Sequence, residues 1–156
     1  MGPRWPATWL VTWLAIWLAI AAGGCDDVRH YAGTWEGPRI GDHPALQVGF
    51  PPSTGASLVI EHVDLRSLSA RLSTGDGRFV AAPVAPIAGA EADVLAGMSF
   101  DGAPLRVFMA FVEAADGGGP ALAVVALMPE NRVEIRILRG GDVPLYGIFE
   151  LVQAPD

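Results

Sequence analysis

The chain has 156 residues, of which 51% are apolar and 17% charged, and its formal net charge is −7. That length fits one domain, and the balance of apolar to charged residues excludes a disordered chain. All ten basic residues are arginine and the acidic ones outnumber them, which argues against nucleic acid as a partner. The single cysteine excludes an internal disulfide framework and a cysteine-cluster zinc site.

In chain order, residues 1–24 form a segment of their own. Arg4 is the only charge in it, and the uncharged run WPATWLVTWLAIWLAIAA follows. A short basic start, an apolar stretch and a small-residue end are the parts of a secretory signal peptide, expected to be helical. Trp5, Trp9, Trp13 and Trp17 recur every four residues, a slowly drifting stripe on a helix. The alternatives to a cleaved signal with a lipid attached are a plain cleaved signal and a retained anchor, since the apolar run sits at the lower edge of what spans a bilayer. All three place the following domain outside the cytoplasm, with Arg4 inside.

The small residues Ala22-Gly23-Gly24 run directly into Cys25. This arrangement resembles the lipobox of bacterial lipoprotein precursors, with Ala22 where that family usually carries Leu. The resemblance implies a diacylglyceryl group on the Cys25 thiol, cleavage before Cys25, and acylation of the new amine by a chain such as palmitate. Two or three acyl chains anchor stably where one does not. The expected organisation is a signal peptide at 1–24, a lipidated tether at 25–30 and a single β domain at 31–156. Asp26 and Asp27 serve as a solvated tether or, by the sorting pattern of enteric-type lipoproteins, as an inner-membrane retention signal; inner against outer membrane stays open.

Tyr31-Ala32-Gly33-Thr34-Trp35-Glu36-Gly37 opens the domain. Gly33-x-Trp35 at the start of a first strand resembles the lipocalin, or calycin, superfamily. The resemblance implies a β-barrel with Trp35 near its closed end, stacked under an arginine from the last strands, Arg136 or Arg139. A core tryptophan in another antiparallel fold explains Trp35 equally well.

The remaining segments read as antiparallel strands. Ser57–Val63 and Leu68–Leu72 alternate, with Asp64–Ser67 between them as a turn or bulge. Leu105–Val112 and Leu122–Met128 are apolar on nearly both faces, as suits strands covered on both sides or covered by a partner. Val133–Ile137 alternates apolar with charged and predicts one wet face. Tyr146–Val152 closes the chain. Hairpin signals stand at Gly75-Asp76-Gly77, Asp101-Gly102, Asp116–Pro120, Pro129–Arg132 and Gly140-Gly141-Asp142. The best helix candidate is Ala88–Met98, weakened by Gly89 and Gly97. The fold class is all-β: an up-and-down meander of about eight strands, closed as a calycin-like barrel or folded as a sandwich.

No catalytic constellation is recognisable. His30 lies in the tether, His43 in a loop, and His62 beside Asp64 lacks a third ligand at metal-site spacing. A Gly-x-Ser-x-Gly elbow is missing, and without lysine there is no phosphate-binding Gly-Lys loop. The expectation is a non-enzymatic protein without cofactor or metal. Two functions remain: a lipid-anchored barrel binding a small apolar ligand, lined by Trp35, Phe108, Phe111 and Phe149, or a structural or interaction lipoprotein docking an envelope protein through an exposed apolar sheet face. An interior cavity favours the first; a filled interior with an apolar outer face favours the second.

Overall fold

A computed structural model describes residues 27–40, 48–91 and 97–155. The signal segment, Cys25, His43 and the centre of the helix candidate at Ala88–Met98 lie outside the described residues. A single 3-10 turn, Val28–Tyr31, leads into eight strands: β1 (Gly33–Ile40), β2 (Gly55–Val63), β3 (Leu68–Thr74), β4 (Ala82–Pro86), β5 (Arg106–Glu113), β6 (Pro120–Met128), β7 (Arg132–Arg139) and β8 (Leu145–Gln153). Each strand pairs with the next, and β8 returns to β1, so the meander closes as an up-and-down barrel. Closure leaves no edge strand to template pairing with another chain.

The strands form where the sequence alternates, because successive side chains point to opposite sides of a sheet. β3 is the plainest case: Leu68, Ala70 and Leu72 point in and Ser69 and Arg71 point out. The β2–β3 reversal is the expected Asp64–Ser67 turn, and a register shift between Ile60 and His62 supplies the bulge. β4 escapes the sequence patterns because Pro83 and Pro86 interrupt it; it contributes only Ala85↔Phe111 and Pro86↔Ala110 to the β5 seam. By contrast, β5, β6, β7 and β8 pair along their whole lengths.

An eight-stranded barrel is just wide enough for side chains to fill it or for one small ligand. Here side chains fill it. The inner row Phe108, Val125, Ile135 and Phe149 is bulky. The next row, Ala110, Ala123, Ile137 and Gly147, is small at three of its four positions. Phe50 occupies the room so left: a Cβ on Gly147 would stand 2.8 Å from the Phe50 ring, and Phe50 meets Phe149 edge-on at 5.4 Å. Trp35, Leu58, Leu72, Phe79 and Phe149 are fully buried. On the other side of the closure, Gly37 passes so near the backbone carbonyl of Glu150 that any Cβ there would overlap it, 1.9 Å away.

The 3-10 turn plugs the barrel end where β1 starts. Val28 and Tyr31 are buried in the core. Asp27 caps the turn by accepting from the Arg29 backbone N–H at 3.1 Å.

Two sequence expectations change. Asp101-Gly102 is not a hairpin between strands; it bends the connection 87–105, with the Gly102 N–H donating to the Phe100 carbonyl at 3.0 Å. The described part 98–100 of that connection lies on the outer face of the barrel, where Met98 and Phe100 pack on Val107, Val124, Ala126 and Met128. The same strap covers the expected wet face of β7. Glu134 is only 6% exposed because Arg136 folds over it, its Nε donating to Glu134 at 2.6 Å, its other nitrogen to the Ser99 carbonyl at 2.6 Å, and its plane lying 4.5 Å from the Phe100 ring centre.

Candidate interaction face

The four residues expected to line a ligand site do not share one. Trp35 and Phe149 are sealed in the core, and Phe108 is buried beside them. Phe111 points the other way and is 52% exposed. The reason is parity: Phe108 and Phe111 are three residues apart on one strand, so they fall on opposite faces. Phe111 therefore has no place in the barrel interior.

Trp35 is fully buried at the end that the 3-10 turn plugs, and among the described residues no arginine stacks on it. Its ring stacks on Tyr31 at 5.3 Å, and its indole N–H donates to the Tyr31 carbonyl at 2.8 Å. Tyr31 in turn donates its hydroxyl to the Met128 carbonyl. Of the two arginines proposed for the role, Arg136 points outward onto Phe100. Arg139 lies at the last residue of β7, the opposite end of the barrel from Trp35.

That opposite end is closed by charges that satisfy one another. Buried Arg139 makes two bonds of 2.8 Å to the two carboxylate oxygens of Asp116 and a third to the Val143 carbonyl at 2.9 Å. The Arg139 bonds, followed by the Gly118 backbone N–H, hold the Asp116 carboxyl well below the ordinary carboxylate range, and Asp116 raises the arginine in return. Arg39 donates to the Phe50 carbonyl at 2.7 Å, and Arg78 donates to the Gly49 carbonyl. These groups fasten loops across the barrel mouth; none is aimed at an open site.

His62 and Asp64 do approach, at 3.3 Å. Asp64 is engaged elsewhere: its other oxygen accepts the backbone N–H groups of Arg66 at 2.7 Å and Ser67 at 2.8 Å. Those bonds, the Arg66 backbone N–H first, hold its carboxyl well below the ordinary carboxylate range and identify an aspartate-capped turn. Among the described residues no group of three histidine, cysteine or acidic side chains is placed to hold a metal.

The described residues line several clefts. One of about 500 Å³ lies between Asp27–Arg29 and Asp64–Ser67. Another, of about 260 Å³, lies beside the short β4 and is the only one of these that a candidate liner, Phe108, reaches.

The apolar surplus lies on the outside. Paired residues on β5, β6, β7 and β8 set Phe111, Leu122, Leu138 and Tyr146 in one outer row. Leu138 is 45% exposed and Leu122 and Tyr146 are half-buried. The row beneath is Met109, Val124, Arg136 and Ile148, so the only charge in two rows is Arg136, already tied to Glu134. The sequence marks β5 and β6 as apolar on both faces, but it assigned Leu138 and Tyr146 no role. Their membership follows from register, which fixes who stands beside whom across strands and is not visible within one segment. No protein family matches the chain, and no characterised protein or solved structure shows significant similarity to it.

Proposed function

We propose that the chain is a lipoprotein of the bacterial cell envelope, anchored through acyl chains on Cys25, whose non-enzymatic barrel docks a partner protein through the outer faces of β5–β8. The anchor rests on sequence: an apolar leader with one basic residue, then small residues running into the only cysteine. The docking reading rests on one structural observation. The interior is filled by bulky side chains at or near zero exposure, while Phe111 and Leu138 stand open on the outside. An exposed apolar patch on a folded domain marks an interaction surface.

A small-ligand carrier is the second reading, and the 260 Å³ cleft at Phe108 is the observation in its favour. Its volume falls just below the roughly 300–1,000 Å³ of ordinary ligand pockets. The closed barrel, with Gly33-x-Trp35 opening β1, is compatible with the calycin resemblance of the sequence. The arginine stack implied by that resemblance is replaced by Tyr31.

Two experiments test the proposal. Replacing Cys25 by Ser removes the only thiol able to take a diacylglyceryl group. The variant is expected to accumulate as uncleaved precursor, while wild type labels with radioactive palmitate and sediments with membranes. Unlabelled wild type in the aqueous fraction overturns the anchor. For docking, in-cell photocrosslinking from position 111 is expected to give discrete adducts that are absent when the crosslinker is placed at position 59. Equal patterns at the two positions overturn it.

A further inference from the structure

We infer that the occupant of the β5–β8 outer face is a short apolar segment of a partner protein flanked by basic residues, and not a second copy of this chain; the inference rests on the docking reading above. Size argues first. Three strand spacings of about 4.8 Å, one open row and side-chain widths at the margins give an open face on the order of 200 Å². A stable interface between two folded proteins takes about 800 Å² from each side. The face is also the convex wall of a closed barrel, and two convex walls touch along a narrow strip. A single segment lying across the strands matches both the area and the curvature.

The molecule already carries such a segment. Met98–Phe100 lies across the lower part of the same outer wall, on Val107, Val124, Ala126 and Met128. It is fixed there by a backbone carbonyl accepting from Arg136 and by Phe100 under the same guanidinium. The open row of Phe111, Leu122, Leu138 and Tyr146 continues that wall toward the other end of the barrel.

Charge fixes the flanks. Glu113 stands two residues beyond Phe111 on the same face of β5, opposite Pro120, and Asp142 sits in the exposed β7–β8 turn next to the Leu138–Tyr146 pair. Both are exposed, and neither has an ion-pair partner among the described residues. The arginines of this part of the barrel are committed: Arg139 to Asp116, Arg136 to Glu134 and Arg78 to Asp76 and Asp116. An incoming segment therefore meets an apolar row bordered by two free carboxylates, which favours lysine or arginine beside its apolar residues.

The test uses the full chain in phosphatidylcholine vesicles, with protein-free vesicles as blank. Two fluorescein-labelled heptapeptides serve as probes, Lys-Leu-Phe-Met-Phe-Leu-Lys and the same peptide with Glu at both ends, and anisotropy is the readout. The lysine peptide is expected to bind saturably. Phe111→Asp or Leu138→Asp should abolish that binding, and Val59→Asp, on the outer face of β2, should leave it unchanged. Glu113→Gln with Asp142→Asn should weaken it about 3- to 10-fold at low salt, the range for two exposed ion pairs. Equal binding of both peptides, lost on Phe111→Asp, overturns the basic flanks and leaves the docking face standing. A dimer by sedimentation that Phe111→Asp dissociates, without peptide binding, overturns the choice of occupant. Indifference of every readout to Phe111→Asp and Leu138→Asp overturns the docking reading itself.

Discussion

The wall made by β2 and β3 and the wall made by β5, β6 and β7 bury the same kind of side chain inside and differ outside. Leu58, Ile60, Ala70 and Leu72 point into the core from the first wall, and Phe108, Val125, Leu127 and Ile135 from the second. Outside, the first wall pairs Ser57 with Ser73 and Val59 with Arg71, and Arg71 binds Glu61 at 2.8 Å. The second wall carries Met109, Phe111, Leu122, Val124 and Leu138. The first wall shows that closing this barrel needs only an apolar inner face. Outer apolar residues on the second wall are surplus to closure, and among the described residues Met98 and Phe100 cover part of them.

Breaking the inner half of this comparison gives the largest effect. Trp35→Ala removes a fully buried ring and is expected to cost about 3–5 kcal/mol, a large share of a domain's total of about 5–15 kcal/mol. Urea denaturation followed by circular dichroism measures it, and a loss below about 1 kcal/mol would show that the closed end does not depend on this ring. Removing the strap's anchor comes next. Phe100→Ala deletes both the cation–π contact and part of the cover over Val107 and Val124. The expected cost is about 1–2 kcal/mol, accompanied by faster amide exchange in β5 and β6 but not in β2 and β3.

The charged barrel mouth predicts a pH dependence. Arg139 holds Asp116 below its ordinary value of 3.8, so the unfolded chain takes up this proton first as pH falls. The stabilisation is complete above about pH 4 and is lost progressively below it. Asp116→Asn is expected to lower the denaturation midpoint at pH 7 and to flatten its acid dependence; an unchanged acid profile would remove the pair from the account. The smallest effect belongs to the open row. Phe111→Ser is expected to change stability by no more than about 0.5 kcal/mol, because the ring is half exposed and closure does not use it. A cost comparable to that of Trp35→Ala would make Phe111 a structural residue and end the distinction between the walls.

Much of the barrel was legible in the sequence. Alternation located β2, β3 and β7, the doubly apolar runs located β5 and β6, and the closing segment Tyr146–Val152 located β8. β4 was not legible, since two prolines in five residues hide an alternation that only its neighbours reveal. The site was less legible than the fold. The doubly apolar runs announced that something covers β5 and β6, but parity alone places Phe108 inside and Phe111 outside, and register alone brings Leu138 and Tyr146 beside them. The neighbour of Trp35 was not legible in the sequence. The stacking partner comes from Tyr31, four residues upstream, because the arginines of β7 face outward or lie at the far end.

The central claim is that the inside of this barrel is a packed core and its function lies on the outer wall. Calorimetric titration of the full chain, held in phosphatidylcholine vesicles, with a long-chain fatty acid tests that claim most directly, with the same vesicles lacking protein as blank. A filled interior predicts no saturable heat beyond the blank. A one-to-one isotherm that disappears when Phe149 is replaced by a charged residue, in a variant that still folds, would place a ligand inside the barrel and contradict the account.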